Sequence, residues 1–221
     1  MSAPVPPPAA NRLGIVLRPV GSSMPLGLSG LVIASLVLSG LDLGWVPVGD
    51  GKWIGLMLLS GPVPLQLLGC VFAFPARDGA AANSMGLLAV SWISIGLVRL
   101  LSAPGATSAP LGLLLLATGT LLAGAALAQG SGKPVAGLAL GLAASRFIVS
   151  ALYELTHAGG WQTVSGILGL GVVATTVYFV VALQMEDAQD SPVLPTFRRG
   201  RAKLSAGADG AAREPGVRPQ L

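Results

Sequence analysis

Long apolar runs joined by short polar connections are the feature that most constrains how this chain can fold. The runs fall at about 24–43, 52–74, 83–101, 109–129, 134–156 and 161–185. A helix needs about 20 mostly apolar residues to cross the hydrocarbon core of a bilayer, and each run has close to that length. The pattern predicts an all-α integral membrane protein, in which 24–185 form a bundle of six transmembrane helices with short loops.

Composition points the same way. Charged residues make up 10% of the 221 residues and apolar residues 52%, whereas about 25% of an ordinary soluble domain is charged. The spans leave no room for a separate soluble domain. We therefore expect a flexible arm over 1–23 and a polar, basic, disordered tail over 186–221.

The positions of lysine and arginine near the ends of the runs predict the orientation of the bundle, because cytoplasmic loops carry an excess of both. With the N-terminus inside, the arm, two loops and the tail place most of these cations in the cytoplasm, and only Lys52 and Arg99 lie outside. The prediction is a multi-pass protein of the cell membrane with both termini cytoplasmic. This topology accounts for the net charge of +4, so no nucleic-acid partner is expected.

The fifth run contains the main candidate site. Arg146 lies near its middle, and an ionisable group inside a membrane costs about 2.5 to 3.5 kcal/mol on insertion scales, which marks it as a functional candidate. Ser150, Tyr153 and His157 follow on the same helical face, with Glu154 on its flank. A buried guanidinium beside a hydroxyl would lower the barrier for a small anion, and Glu154 with His157 could exchange protons near neutral pH. The alternative is an internal contact between Arg146 and Glu154, or an arginine that extends towards the membrane surface.

The second run is interrupted by Pro62 and Pro64, which remove backbone hydrogen bonds from a helix. Irregular backbone at membrane depth is tolerated where it faces a wet cavity or is packed inside protein. Gln66, one turn later, therefore either lines a polar path or accompanies a packed kink. In the third run, Asn83 is expected to cap the helix, and the candidate path residues are Asn83, Ser91, Trp92 and Ser94.

Glycine and the rarer residue types narrow the possibilities further. The 31 glycines recur at helical spacings, as at Gly137 with Gly141, and predict close helix packing or, alternatively, a widened permeation path. The chain has one histidine and lacks the HExxH, GxSxG, P-loop and GxGxxG motifs. We therefore expect no metal site, no cofactor and no enzymatic activity.

Four short motifs follow one another along the runs: Pro25-Leu26-Gly27-Leu28, Gln66, ANSMG at 82–86, and a series from Ser165-Gly166 through Tyr178 to Leu194-Pro195. In this order they resemble the acetate uptake transporter family, the group that contains the bacterial succinate-acetate permease and the yeast acetate and ammonia transporters. The resemblance implies a six-helix protomer with its own central path, assembled into a homo-hexamer. It also implies that acetate or a related carboxylate passes with a proton or down a gradient.

The chain departs from the family at positions that bear on selectivity. The resemblance places Pro25, Gly27 and Leu31 on the path, but Leu31 stands where the family has an aromatic constriction residue. The run Ile-Ser-Ile-Gly-Leu at 93–97 replaces Tyr-Gly-x-Phe-Trp, and Arg146 stands where the family is apolar. These changes predict a path that is wider or differently selective, with Arg146 adding an attractive site for an anion.

Residues and resemblance together predict a transporter or channel for a small monocarboxylate such as acetate, with proton coupling as one mode of action. Two alternatives stay open. One is a channel for a neutral solute such as ammonia or urea, and the other is a structural or regulatory membrane protein without transport.

Overall fold

The computed structural model of the protein describes residues 22–76, 78–189 and 191–200. Within these residues the regular elements are helices: α1 (Met24–Asp42), a 3₁₀ turn (Val48–Asp50), α2 (Gly51–Ser60), α3 (Pro62–Ala73), α4 (Gly79–Leu101), α5 (Ala109–Gly130), α6 (Pro134–Thr156) and α7 (Gly159–Gln189). The 3₁₀ turn, α2 and α3 make one apolar segment, so this part of the chain has six segments long and apolar enough to span a membrane. The predicted fold class is confirmed. Most of the predicted arm, Arg77 and the tail beyond 200 lie outside the described residues.

Helix α4 begins earlier than its apolar run. Asp78 caps it, since Asp78 Oδ1 accepts a hydrogen bond from the Ala81 backbone N–H at 3.0 Å. Asn83 lies inside the helix with an exposed side chain, so its predicted capping role is wrong. The reason is that a cap serves the unpaired N–H groups of the first turn, and those lie before Asn83.

The two prolines of the second span divide it into α2 and α3 at Gly61. Pro62 and Pro64 lie in the first turn of α3, where a missing N–H breaks no intrahelical bond. The break packs against α1, because a Cβ added to Gly30 would lie 3.0 Å from the Pro62 carbonyl oxygen. Of the two interpretations of this segment, the structure therefore agrees with a packed kink.

The helices pack as antiparallel neighbours: α1 lies against α3 and α7, α4 against α2, α3 and α5, and α6 against α5 and α7. Glycines bring some of these backbones close together. A Cβ added to Gly137 would lie 2.5 Å from Gly130 Cα, and one added to Gly69 would lie 3.0 Å from Gly27 Cα. Lipid provides no hydrophobic drive for helices to associate, so close packing through small residues stabilises the bundle instead.

The segment after α7 folds back against the bundle. The Tyr178 hydroxyl donates to the Pro195 carbonyl at 2.8 Å, and the Arg199 backbone N–H donates to the Gly132 carbonyl at 2.9 Å. Residues 191–200, which belong to the predicted tail, are therefore bound to α7 and to the loop between α5 and α6.

Candidate functional site

A narrow cavity lies near the end of the bundle where α1, α4 and α6 finish. Its volume of about 30 Å³ has room for about two water molecules. The polar part of its wall consists of Asp42, Arg99, Arg146, Ser150, Tyr153, Glu154, Gln162 and Ser165. A second cavity of about 60 Å³ shares Arg99, Tyr153 and Gln162 with the first and extends to the loop residues between α4 and α5. The two cavities are neighbours between the loops and the interior of the bundle, and together they are called the vestibule.

Arg146 reaches this vestibule from α6 although the residue is only 4% exposed. Its Nη2 lies 3.6 Å from Asp42 Oδ2, and its Nη1 donates a hydrogen bond to the Ser35 carbonyl at 3.1 Å. The ion pair with Asp42 is longer than a hydrogen bond. A guanidinium has five N–H donors, so Arg146 has donor capacity beyond these two contacts.

Asp42 is also held by a short chain of hydroxyl groups. Ser165 Oγ donates to Asp42 Oδ2 at 3.2 Å, and Ser165 Oγ lies 2.7 Å from Ser150 Oγ. A hydroxyl carries a single hydrogen, so when Ser165 donates to Asp42, Ser150 donates to Ser165. The chain of donors therefore runs from the cavity wall to the carboxylate.

Glu154 forms a second buried pair closer to the loops. Its Oε1 lies 3.3 Å from Arg99 Nη2, and its Oε2 accepts a hydrogen bond from the Ser108 backbone N–H at 2.6 Å. Both carboxylate oxygens are thus engaged, and the predicted alternative of an internal contact between Arg146 and Glu154 is wrong. Eight residues of helix separate these two side chains by about 12 Å along the axis, so each finds its partner on another helix.

The floor of the cavity is apolar and aromatic. Trp92 of α4 and Phe147 of α6 line it, with ring centroids 5.2 Å apart. Trp92 Nε1 donates to Gln66 Oε1 at 3.0 Å, and Gln66 Nε2 donates to the Gly27 carbonyl at 3.3 Å. This layer separates the charged vestibule from the other half of the bundle.

The structure places the predicted path residues and the two proton-coupling candidates in two groups. Trp92, Arg146, Ser150 and Glu154 line the cavity. The others lie elsewhere: Gly27, Leu31, Gln66 and Ser91 are buried in the packed bundle, Pro25 is half-buried in the first turn of α1, Ser94 bonds the carbonyl of Val90, Asn83 is exposed, and His157 is exposed beside Thr107.

His157 is absent from the cavity because α6 ends before it. Thr156 is the last residue of the helix, and His157 takes the left-handed conformation with φ 61°. A residue in that conformation no longer continues the helical face. The helical face that carries Arg146 therefore contributes Ser150 and Tyr153 to the cavity wall, but not His157.

Asp42 and Arg99 were not predicted as site residues, although each is a lone charge at the end of an apolar run. Arg99 was used only to predict the orientation of the bundle. An ionisable residue at the end of a transmembrane helix is a candidate by the same rule that selected Arg146. Among the described residues, no group of three or more His, Cys, Asp or Glu side chains is placed to hold a metal ion.

The fold and the vestibule define a multi-pass membrane protein with six spans and a charged cavity near one end of its bundle. No family model and no curated protein matches the sequence. Among solved structures, the bacterial acetate channel SatP is similar to this chain, with a TM-score of 0.71 and 17% sequence identity. The similarity covers 80% of this chain and 99% of that chain. The two proteins share a fold over almost the whole length of the channel.

Proposed function

We propose that the protein moves a small monocarboxylate such as acetate across the cell membrane, as a channel or a carrier, and that it is not an enzyme. The observation that carries this proposal is a vestibule containing two guanidinium groups, those of Arg99 and Arg146, in a bundle with the fold of an acetate channel. A planar guanidinium matches a carboxylate in shape and charge, and can bind it through two parallel hydrogen bonds.

Arg99 and Arg146 suggest an order of events. Arg99 lines both cavities, so an anion arriving from the loops meets it before Arg146. Its Nε is buried and has no hydrogen-bond partner among the described residues. The anion then reaches Arg146 above Trp92 and Phe147, whose side chains must separate before it can pass. This aromatic layer is the proposed constriction, whereas Leu31 lies in the packed core.

Proton coupling is part of the proposal, and the geometry distinguishes between the two residues predicted for it. Glu154 lines the cavity, whereas His157 is exposed and contacts Thr107. Of that pair, Glu154 alone lies where a transported anion would affect it.

The second candidate is a neutral solute such as urea or ammonia. It is favoured by the charge balance of the first cavity, where the cations Arg99 and Arg146 are matched by Asp42 and Glu154, whereas Lys52 lines only the second cavity. A neutral molecule would enter this balanced environment without displacing either ion pair.

The decisive experiment measures the uptake of labelled acetate into proteoliposomes, against protein-free liposomes and at two external pH values. The higher pH matters because undissociated acetic acid crosses lipid unaided and is scarce there. Uptake above the control at that pH supports the proposal. Labelled urea run in parallel identifies the second candidate, and the absence of any solute flux would leave a structural or regulatory role.

The arrangement in the membrane is also proposed: both termini in the cytoplasm and a homo-oligomer, a hexamer by the resemblance to acetate transporters. Reporter fusions at each end test the first statement. Crosslinking of native membranes followed by size analysis tests the second, and a purely monomeric protein would contradict it.

A further inference from the structure

Asp42 occupies the position at which a transported carboxylate would bind Arg146. It approaches the guanidinium with one oxygen, at 3.6 Å, and the same oxygen accepts the hydrogen bond from Ser165. Asp42 is the last residue of α1 and its side chain is 11% exposed. The ion pair between Asp42 and Arg146 is therefore buried but long, and both residues line the cavity.

The charged groups around Asp42 leave no net charge to attract an anion. Arg146 and Glu154 face the cavity from α6 and Arg99 faces it from α4, whereas Lys52 lines only the neighbouring cavity. The uncharged Ser150, Tyr153, Gln162 and Ser165 complete the polar wall. An added carboxylate would give this water-poor cavity an excess negative charge, and charges interact several times more strongly there than in bulk water. Binding of the anion therefore requires the loss of one negative charge from the protein.

We infer that Asp42 is the coupling group of the transport proposed above: it accepts a proton as the solute carboxylate replaces it on Arg146. This inference rests on the proposed function. The proton comes from water and adds to a carboxylate oxygen of Asp42. No covalent bond to carbon changes, and the net charge of the site stays the same. On release of the solute, the proton leaves and Asp42 binds Arg146 again.

Glu154 is less suited to this exchange. Its two oxygens bind Arg99 at 3.3 Å and the Ser108 N–H at 2.6 Å, so a proton on either oxygen would compete with one of these donors. Asp42 has the longer ion pair, and the hydroxyls of Ser150 and Ser165 connect it to the cavity. The same hydroxyls can carry the proton, since each can accept one hydrogen bond while donating another.

The test measures protons and acetate together. Purified protein in detergent, in weakly buffered solution with a pH indicator, receives sodium acetate adjusted to the same pH, and sodium chloride serves as the salt control. The wild type should take up about one proton for each acetate bound, and its acetate affinity should rise about tenfold for each unit by which the pH falls. Acetate binding without proton uptake overturns the inference and leaves the proposed function standing.

The variant Asp42→Asn separates this exchange from simple binding of undissociated acetic acid. It should bind acetate without taking up a proton, whereas Asp50→Asn, at an exposed position on the 3₁₀ turn, should behave as the wild type does. If Asp42→Asn still takes up a proton, another group or the solute itself carries it, and the inference is wrong.

A second measurement needs no variant, because Asp42→Asn leaves a buried guanidinium unpaired and can fail to fold. Infrared difference spectra of the wild type with ¹²C- and ¹³C-acetate should show a protonated carboxyl band that does not move with the isotope. A band that moves assigns the proton to the solute and contradicts the role of Asp42. Failure to bind or transport acetate at all would instead overturn the proposed function, and the inference with it.

Discussion

Glu154 and Arg99 lie 3.3 Å apart although they belong to α6 and α4, which α5 connects in the chain. The Glu154 side chain is 3% exposed and that of Arg99 is 13% exposed. Glu154 also accepts a hydrogen bond from the backbone N–H of Ser108, the residue that caps α5. One carboxylate thus joins three helices at the mouth of the vestibule.

Replacing Glu154 with glutamine should destabilise the bundle, because the Arg99 guanidinium would stay buried without its counterion. Breaking a buried pair from one side costs about 3 to 5 kcal/mol. Lys133→Gln is a control, since the side chains of Lys133 and Asp78 are 36% and 29% exposed, and an exposed pair contributes about 1 kcal/mol or less. Thermal unfolding in detergent measures both variants, and equal losses of stability would contradict the importance given to the Arg99 pair.

Replacing Arg146 with glutamine should reduce labelled acetate uptake by about 10- to 100-fold, the loss of one charged hydrogen-bonding partner. The double variant Arg146→Gln with Asp42→Asn removes both charges and should recover stability without recovering uptake. Lys133→Gln, which alters an ion pair with Asp78 elsewhere in the bundle, controls for a general loss of cations. Size-exclusion profiles check assembly, and normal uptake by the single variant would exclude Arg146 from the path.

Gly169 tests the position of the guanidinium without touching any charge. A Cβ at Gly169 would lie 2.1 Å from Ser39 Oγ and 2.8 Å from Arg146 Cζ, whereas one at Gly171 would make ordinary contact with Leu142 at 3.7 Å. Gly169→Ala should displace both Ser39 and Arg146 and lower uptake several-fold, whereas Gly171→Ala should not. Both variants carry the same gain in helix propensity, about 1 kcal/mol, so their difference isolates the steric effect. Equal uptake rates would show that this position of Arg146 is not required.

Shortening Phe147 should widen the floor of the vestibule. Phe147→Ala removes the ring that packs against Trp92, and we expect uptake of butyrate to rise relative to acetate. The cost in stability should be about 3 to 5 kcal/mol, so the selectivity ratio is the informative quantity. Leu138→Ala, on the outer face of the same helix and 57% exposed, is the control. An unchanged ratio would place the constriction elsewhere.

Close packing of α5 and α6 can be tested at a pair of glycines. A Cβ at Gly137 would lie 2.5 Å from Gly130 Cα, whereas one at Gly124 meets nothing within 4 Å. Gly137→Ala should lower the melting temperature in detergent, and Gly124→Ala should leave it unchanged or raise it slightly. Tolerance of both substitutions would mean that the helices can separate at little cost.

The sequence predicted the six spans closely, because crossing a bilayer requires long apolar runs and leaves few alternatives for their ends. Pro62 and Pro64 likewise marked a real break, since proline acts through its own backbone. The beginning of α4 was missed because Asp78 lies outside the apolar run that was used to place the helix.

The charged pairs of the vestibule could not be predicted in the same way. Which carboxylate meets Arg146 depends on how α1, α6 and α7 pack, and helical spacing places residues only within a single helix. Spacing placed Ser150 and Tyr153 on the same face as Arg146, and all three line the first cavity. It also suggested His157, because spacing alone does not show that α6 ends at Thr156.

The order in which the charged residues are synthesised has a consequence for the insertion of this protein into the membrane. The ribosome delivers α1 long before α6, and the Arg146 guanidinium contacts Ser35, 111 residues earlier in the chain. Three other charged residues lie in the last turns of their helices: Asp42, Arg99 and Glu154. At such positions a charged side chain can stay hydrated at the membrane surface during insertion. Arg146 lies deeper, and when its helix emerges Asp42 is already in place. The growing chain thus presents its most costly charge only after the partner that can neutralise it.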